Sequence, residues 1–440
     1  MSQGKTFVGF GFGPIQSGLF LYEAYASGDF SRFVVAEIDK ELVRAVRSAG
    51  GACTINVARR DGVERKRLEG IELCDPAETA DRRKIVEAVA SSDEMATCLP
   101  SVGFYDAGGT GSVAGMIAEG FCLRIARRKA ARQMPAWQYP LPTVIYAAEN
   151  HNQAAEILCK AVRRHLRKVT GAMAQVEFLN TVIGKMSGVV TDPETISRLG
   201  LAPLTPAIPR AVLVEEFSRI LISRVTLSGY RRGIGVFIEK DDLLPFEEAK
   251  LYGHNAIHAM IAYLADLRGH VTIAQAGGDA WIMSLAREAF LEESGAALIR
   301  RHAGLNDPLF TEAGYRAYAE DLLERMVNPH LSDLVSRVGR DHVRKLAYDD
   351  RLYGTMRLAL EYGIEPRRLA LGAAAGVLSM VRRQAELTPP APRLPKTAAD
   401  LTDGALRSLL LGFWGEKADA HAERLVRLTW DAIQEIGQAT

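Results

Sequence analysis

The stretch Thr6-Phe-Val-Gly-Phe10, continued by Gly11-Phe-Gly-Pro-Ile-Gln16, decides the fold of the first half of this 440-residue chain. The first five residues are apolar and β-prone, and a helical pattern opens near Gln16. A strand, a glycine turn and a helix in this order are the setting of the dinucleotide-binding G-x-G-x-x-G fingerprint. Gly11 would make the tight turn, and Gly13 would let the backbone approach a pyrophosphate at the helix N-terminus. Gln16 replaces the third glycine, so a plain structural turn is the alternative explanation.

A second strand supports the cofactor interpretation. Phe33-Val-Val-Ala36 is an apolar run that ends at Glu37, about 26 residues after Gly11. An acidic residue near this distance accepts a hydrogen bond from the ribose 2′-hydroxyl of NAD, and it repels the 2′-phosphate of NADP. We therefore expect NAD as the cofactor, with Asp39 as a possible substitute for Glu37.

Further strands alternate with helical patterns along the first half. Strand-like runs at 94–99 and 142–148 are followed by helical patterns at 112–129 and 151–168. This alternation predicts an α/β Rossmann-type domain with a parallel sheet, whose ligands lie beyond the carboxyl ends of the strands. Asn150 follows one such strand, and it either faces this edge or caps the next helix. The expected cofactor contacts are Gly11, Phe12, Gly13, Pro14, Ile15, Glu37 and Leu99.

A proline-rich passage at 201–209 predicts a boundary between two domains. We place a dinucleotide-binding domain at 1–207 and a mainly α-helical substrate and catalytic domain at 208–440, which begins with two β-prone pieces. Apolar spacings of three and four predict helices at 246–267, 279–301, 311–327, 331–337, 348–361, 366–385 and 418–436. The charged insert 54–77 is interpreted as an irregular hairpin, and 388–395 as a proline-rich surface loop or spacer.

Composition argues against several classes of function. Lysine and arginine number 54 against 53 acidic residues, so the net charge of +1 gives no basis for nucleic-acid or anionic-membrane binding. Five scattered cysteines without a C-x-x-C pair favour free thiols in a reducing compartment. The histidines lie mostly in the other half of the chain, so we predict no metal site. The sequence shows no apolar signal core and no membrane-length apolar run, so we expect a cytoplasmic protein.

The candidate chemistry lies in Lys250-Leu-Tyr-Gly-His-Asn255-Ala-Ile-His258. At about 100° per residue, a helix would place the lysine, the asparagine and the last histidine within roughly 140° of arc. A lysine whose charge is disfavoured by burial can accept a proton near neutral pH. An asparagine amide can donate to an oxygen that gains negative charge, and the histidine can orient either group or a substrate hydroxyl. The alternative for this pattern is a surface lysine, a surface asparagine and a buried core histidine.

The spacing of Lys250, Asn255 and His258 occurs together with further phrases in the second half. These phrases lie at 258–264, 292–299, 337–340, 344–346, 350–352 and 360–363. With these residues the chain resembles the mannitol dehydrogenase family of polyol-specific long-chain dehydrogenases, closest to its mannitol-1-phosphate 5-dehydrogenase branch. The family signature Lys-x4-Asn-x2-His is complete, and the similarity covers residues 245–380 in consistent order. In the first half, 10–13, 36–37 and 148–150 match the family more loosely.

This resemblance implies a metal-independent hydride transfer between NAD and a secondary alcohol of an open-chain polyol or its phosphate. It implies that Lys250 is the general base and that Asn255 and Asn150 donate to the reacting oxygen. His258 would orient a substrate hydroxyl. Where the family often has an Asp-Arg pair, this chain has Gly184-Lys185, and lysine cannot make the bidentate contact of arginine. The cations available to a phosphate or carboxylate end, if they do not form salt bridges, are Lys185, Arg344, Lys345 and Arg351.

Two other functions are compatible with the sequence. A hexuronate-type reductase of the same superfamily, acting on fructuronate or tagaturonate, would use the same cations for a carboxylate. A non-catalytic relative that senses NAD or a sugar phosphate would have no need for the complete set of Lys250, Asn255 and His258. The expected partner is a small polyol or ketose, free or phosphorylated. The sequence predicts no nucleic-acid or membrane partner, and it gives no oligomeric state.

Overall fold

The computed structural model describes residues 4–130, 142–166, 169, 171–216, 219–331, 333–387 and 394–439. The chain forms two compact units, Met1–Leu244 and Pro245–Thr440. The boundary therefore falls after Leu244, and not after residue 207 as the prolines suggested. The proline passage is tied into the first unit, because the amide of Thr54 donates to the carbonyl of Leu204 over 2.9 Å. The strands that follow residue 210 also pair within this unit.

Two sheets organise the described part of the first unit. Their strands are β1 (Lys5–Phe10), β2 (Phe30–Ala36), β3 (Cys53–Ala58), β4 (Val63–Leu68), β5 (Ile71–Cys74), β6 (Glu94–Thr97), β7 (Thr143–Ala147), β8 (Val176–Val182), β9 (Ser187–Val190), β10 (Ala211–Glu215), β11 (Ile220–Ser223) and β12 (Phe237–Lys240). The larger sheet has the order β12-β11-β8-β7-β6-β1-β2-β5, and the smaller sheet has the order β4-β3-β10-β9.

The larger sheet has the strand order of a dinucleotide-binding domain. From β5 to β8 its strands are parallel and run in the order β5-β2-β1-β6-β7-β8. This is the doubly wound order 3-2-1-4-5-6, which reverses between β1 and β6 and binds ligands at that point. Beyond β8, β11 is antiparallel to it and β12 is parallel to β11. The predicted α/β Rossmann-type fold is confirmed.

The insert 54–77 contains regular structure. β3 and β4 form an antiparallel hairpin, as predicted, and β10 and β9 extend it into the smaller sheet. The buried amide of Asn56 donates to the carbonyls of Ala202 and Val212, both over 2.9 Å, and so attaches the proline passage to this sheet. β5 leaves the hairpin and pairs with β2, which explains why the insert did not fit a single local pattern.

Helices lie on both faces of the larger sheet, because its strands are apolar on both sides. The helices of the first unit are π1 (Gln16–Leu21), α1 (Tyr22–Ser27), α2 (Lys40–Ser48), α3 (Thr79–Ser91), α4 (Val113–Ala130), α5 (Ala154–Leu166) and α6 (Pro193–Arg198). Neighbouring residues such as Phe7 and Val8 belong to different apolar clusters, with α2 in the first cluster and α3, α4 and α5 in the second.

The described part of the second unit is helical, as predicted for the second domain. Its helices are α7 (Leu244–Glu248), π2 (Ala249–Asn255), α8 (Ala256–Leu267), α9 (Ile273–Ala276), α10 (Ala280–Glu288), π3 (Ala289–Gly295), α11 (Ala296–Arg301), α12 (Glu312–Met326), α13 (Val335–Gly339), α14 (His342–Lys345), α15 (Tyr353–Glu361), α16 (Arg367–Arg382), α17 (Asp403–Trp414) and α18 (Ala422–Ala439). α8 is central, since its apolar residues are buried on nearly all sides.

The second half of the chain differs in part from the sequence expectations. α17 was not predicted, and the β-prone pieces at the expected start of the second domain belong to the sheets of the first unit. The proline-rich loop 388–395 lies mostly outside the described residues. Within the described ranges, no helix is both long and apolar enough to cross a bilayer.

Candidate active site

The turn after β1 has a shape that only glycine permits. Gly11 has a φ of 84°, in the left-handed region that glycine adopts without strain. A Cβ at this position would lie 2.6 Å from the carbonyl oxygen of Cys98, which follows β6. A Cβ on Gly13 would meet no atom within 4 Å, so Gly13 borders open space. Glycine at this position keeps that space clear beside the first turn of the helix, which fits a bound pyrophosphate.

Glu37 lies at the end of β2, and backbone amides orient its carboxylate. The two oxygens accept hydrogen bonds from the amide of Phe12 at 2.7 Å and from the amide of Asp39 at 2.8 Å. The carboxylate is thereby fixed beside the glycine turn, and it keeps lone pairs for a ribose hydroxyl. Asp39 has other partners, since its carboxylate caps α2 and pairs with Arg210. The side chain of Phe12 is buried in the core, so only its backbone can contact a cofactor.

A buried carboxylate that the site prediction did not include joins the ends of β6 and β7. Glu149 accepts from the amide of Leu99 at 2.8 Å, from the hydroxyl of Thr97 at 2.9 Å and from the hydroxyl of Tyr105. Burial raises the pKa of the Glu149 carboxyl. Since the Leu99 amide is already bound, a cofactor contact at this residue would use its side chain or carbonyl. Asn150, the next residue after Glu149, is exposed.

Gln16 occupies the position of the third glycine, and its side chain is fully buried. The amide packs against Gly9 of β1, so the small size of Gly9 makes room for it. Within the described part of the chain, neither polar atom of this amide has a hydrogen-bond partner. In the fingerprint, the third glycine allows the helix to pack closely against the strand. In this chain Gly9, on the strand, allows this close packing instead.

Lys250 and Asn255 lie on π2, not on the α-helix that the sequence predicted. A π-helix has i→i+5 hydrogen bonds, so its turn is wider by about one residue than that of an α-helix. Residues five apart, such as Lys250 and Asn255, come to lie on one side of this turn, whereas an α-helix would place them about 140° apart. Both side chains are half-buried, and His258 follows on α8.

The surroundings of Lys250 favour a neutral amine. Burial lowers the pKa of Lys250 to about 8, the Glu247 carboxylate opposes this change, and the Arg351 guanidinium reinforces it. A base with a pKa near the working pH is well matched to proton transfer. This is the electrostatic condition that the general-base assignment requires.

His258 is a neutral imidazole beside a buried acidic residue. Burial lowers the pKa of His258 to about 3, and the charges of Arg337 and Lys345 contribute. Its Nε2 lies 3.5 Å from Oδ2 of Asp333, whose other oxygen is paired with Arg337. Because the Asp333 charge is already matched by Arg337, it does not offset the cost of burying an imidazolium. Nε2 has no hydrogen-bond partner among the residues that the structure describes, so it is suited to a ligand hydroxyl.

The four predicted cations differ in their surroundings. Arg344 and Arg351 each pair with an aspartate of their own segment, at 3.4 Å and 2.7 Å. The buried Lys345 amine donates to a backbone carbonyl, and burial lowers its pKa to about 7. Lys185 belongs to the first unit and lies between β8 and β9. The described residues contain no group of three or more His, Cys, Asp or Glu side chains that could hold a metal ion.

Comparison with known proteins supports the resemblance seen in the second half of the chain. Residues 242–391, which include Lys250, Asn255 and His258, match the mannitol dehydrogenase C-terminal domain. The mannitol-1-phosphate 5-dehydrogenase of Caldanaerobacter subterraneus subsp. tengcongensis is 29% identical over 379 residues, which cover 86% of this chain and 87% of that protein.

Two solved structures of mannitol and sorbitol dehydrogenases share the fold. The mannitol 2-dehydrogenase of Pseudomonas fluorescens, solved in a ternary complex with NAD and D-mannitol, has a TM-score of 0.67 at 16% identity and covers 100% of this chain and 93% of its own. A D-sorbitol dehydrogenase in substrate-free form has a TM-score of 0.72 at 14% identity and covers 99% and 94%. Such low identities establish the fold alone.

Three charged residues near the candidate site were not predicted as site residues from the sequence. Glu247 precedes Lys250 by three residues, a spacing at which side chains on a helix are neighbours, so this spacing could have identified it. Asp333 lies 3.5 Å from His258 and pairs with Arg337, and both are far from His258 in sequence. No local pattern connects them with the Lys-x4-Asn-x2-His signature.

Proposed function

We propose that this protein is an NAD-dependent dehydrogenase that interconverts a hexitol phosphate and the corresponding ketose phosphate. The observation that carries the proposal is the half-buried Lys250 side chain, whose pKa is lowered to about 8, on the same side of the wide π2 turn as Asn255. The glycine turn at Gly11 and Gly13 and the oriented Glu37 carboxylate support NAD as the cofactor. The match of residues 242–391 to the mannitol dehydrogenase C-terminal domain supports a polyol substrate.

In the proposed mechanism Lys250, Asn255 and His258 have one role each. NAD, which the glycine turn and Glu37 would hold, would supply the hydride acceptor for the carbinol carbon. Lys250 takes the proton of the hydroxyl on that carbon, and in the reverse direction it returns a proton to the carbonyl oxygen. Asn255 stabilises the negative charge that develops on this oxygen. Neutral His258 binds a neighbouring hydroxyl and so fixes which carbon reacts.

The phosphate end of the substrate is assigned to the cations of the second unit, where it would compete with the aspartates that pair with Arg344 and Arg351. Lys345, Arg344 and Arg351 lie within eight residues of one another, and the relative from Caldanaerobacter is a mannitol-1-phosphate 5-dehydrogenase. A phosphate beside Lys345 would favour its ammonium form, since an opposite charge raises the pKa of a lysine.

One substrate panel tests this function. Oxidation of NADH, with NADPH in parallel, is measured against fructose 6-phosphate, fructose, fructuronate and tagaturonate. We expect turnover with NADH and fructose 6-phosphate. Turnover with fructuronate or tagaturonate alone would instead establish a hexuronate reductase. Absence of turnover on all four compounds, with NADH binding intact, would identify a non-catalytic sensor.

The pKa of Lys250 predicts opposite pH profiles in the two directions. Polyol oxidation needs the neutral amine, so kcat should rise as the pH increases through about 8. Ketose reduction needs the ammonium, so kcat should fall over the same interval. Lys345, with a pKa of about 7, should affect the KM for a phosphorylated substrate rather than kcat. Initial rates in both directions from about pH 6 to about pH 10 check this, and parallel profiles would contradict a lysine base.

A further inference from the structure

Hydroxyl groups from two other helices bind the middle of π2. The carbonyl of Tyr252 accepts from Oγ of Ser294 at 2.8 Å and from Oγ1 of Thr355 at 3.1 Å. Ser294 lies on π3 and Thr355 lies on α15, so both donors come from outside π2. The single hydroxyl proton of Thr355 is shared with the carbonyl of Arg351, so Ser294 is the stronger donor to Tyr252.

The packing around this contact is close. Ser294 is fully buried, and the hydroxyl of Tyr315 lies 3.3 Å from its Oγ. Tyr315 can therefore donate to Ser294 while Ser294 donates to the π2 carbonyl, which strengthens both bonds. Glycines bring both π-helices against the same tyrosine. A Cβ on Gly253 would lie 2.7 Å from its hydroxyl oxygen, and a Cβ on Gly295 would lie 2.6 Å from its ring.

The wide turn of π2 determines the angle between the Lys250 and Asn255 side chains around the helix axis. Long π-helices are rare, and single π turns persist where their surroundings favour them, often at functional sites. If π2 relaxed to an α-helix, Asn255 would rotate away from Lys250 to an angle of about 140°. The Tyr252 carbonyl lies between these two residues in sequence. Removal of its outside donor would leave a buried oxygen underpaired and would remove one cause of the wide turn.

We propose that Ser294 and Thr355 are positioning residues for catalysis: they hold π2 in the wide form that places the Lys250 amine and the Asn255 amide on one side. This role rests on the proposed function of Lys250 as the general base. Neither hydroxyl has to touch substrate or cofactor. Both act through the Tyr252 carbonyl.

The test compares variants that remove or keep each hydroxyl. Ser294→Ala and Thr355→Val should lower kcat by about 10- to 100-fold with little change in KM, since a misplacement of about 1 Å can cost 10²-fold. Ser294→Ala should have the larger effect, and Thr355→Ser should keep activity close to wild type. Thr429→Val is the matched control. The Thr429 hydroxyl is equally buried and donates to the Leu425 carbonyl over 2.8 Å on α18, outside π2.

A second measurement separates positioning from general loss of stability and does not depend on the substrate. Competitive labelling of amines across a pH series, followed by mass spectrometry of the Lys250 peptide, gives the pKa of this lysine directly. The charged and titratable groups that act on Lys250 or lie beside it are Glu247, Arg351 and His254. We expect the pKa to rise in Ser294→Ala from about 8 toward the ordinary 10.5, because a loosened turn exposes the amine to water. Thr429→Val should leave it unchanged.

The outcomes are distinct. A fall in kcat together with a raised Lys250 pKa in Ser294→Ala and Thr355→Val, but not in Thr429→Val, supports the proposal. An unchanged Lys250 pKa in both hydroxyl-free variants overturns it, whatever their turnover. If the wild-type protein reduces no ketose of the panel, the proposed function fails while the labelling still decides whether the hydroxyls control π2. If Ser294→Ala does not fold, the pair Thr355→Val and Thr355→Ser carries the same comparison.

Discussion

Replacement of Lys250 by alanine is expected to lower kcat by several orders of magnitude and to leave the affinity for NADH nearly unchanged. A positioned general acid or base contributes roughly 10²- to 10⁴-fold to rate, and no other described lysine lies on π2 to replace it. The glycine turn and Glu37, which we assign to the cofactor, belong to the first unit and make their contacts without Lys250. Steady-state turnover with fructose 6-phosphate and fluorescence titration with NADH measure the two quantities.

Two comparisons make this result specific to the amine. Lys417→Ala removes a lysine of the same unit that pairs with Asp349 at 2.7 Å on the surface, and its turnover should match the wild type. Small primary amines added to Lys250→Ala should restore part of the rate, because they can supply the missing proton acceptor. Wild-type turnover in Lys250→Ala would remove the base assignment. A parallel loss of NADH binding would show a structural role instead.

The dinucleotide fold could be predicted because its signals are local. The apolar run before Gly11 and the glycines of the turn identify the first strand and the helix after it. The length of one strand–helix–strand unit sets the distance from Gly11 to Glu37. The structure places Glu37 beside the turn through the amide of Phe12, as this spacing suggested.

The domain boundary shows where local signals stop. The prolines at 201–209 indicate chain reversals. The unit to which the following strands belong is determined instead by the strands with which they pair. β10 pairs with β3, more than 150 residues earlier in the chain, and β11 pairs with β8. Such pairings have no signature in the residues of the passage itself, so the first unit extends to Leu244.

In the candidate site, too, some features depend on residues close in sequence and others on residues far away in sequence. The spacing of Lys250, Asn255 and His258 was visible in the sequence, and it selected the segment that we propose for the site. The π-helical turn was not visible, because it depends on hydroxyl groups of π3 and α15. The neutral state of His258 likewise depends on burial and on distant cations, so a histidine in a signature does not reveal its own charge.

Replacement of Asn255 by alanine should give the second largest loss, about 10²- to 10³-fold in kcat with a modest change in KM, the usual cost of removing one donor to a developing oxyanion. Asn255 does not titrate, so the pH profile of Asn255→Ala should keep the wild-type inflection near 8 that Lys250 sets. Kinetics in both directions across pH measure both quantities.

Asn255→Asp provides the decisive comparison, because it keeps the size of the side chain and replaces a donor by a negative charge. On one side of π2 with Lys250, this carboxylate should raise the pKa of the amine and shift the inflection upward. It should also repel the charge that develops on the substrate oxygen, so kcat should fall below that of Asn255→Ala. Identical pH profiles for the two variants would mean that residue 255 does not face the lysine. Wild-type turnover in Asn255→Ala would exclude it as the oxyanion donor.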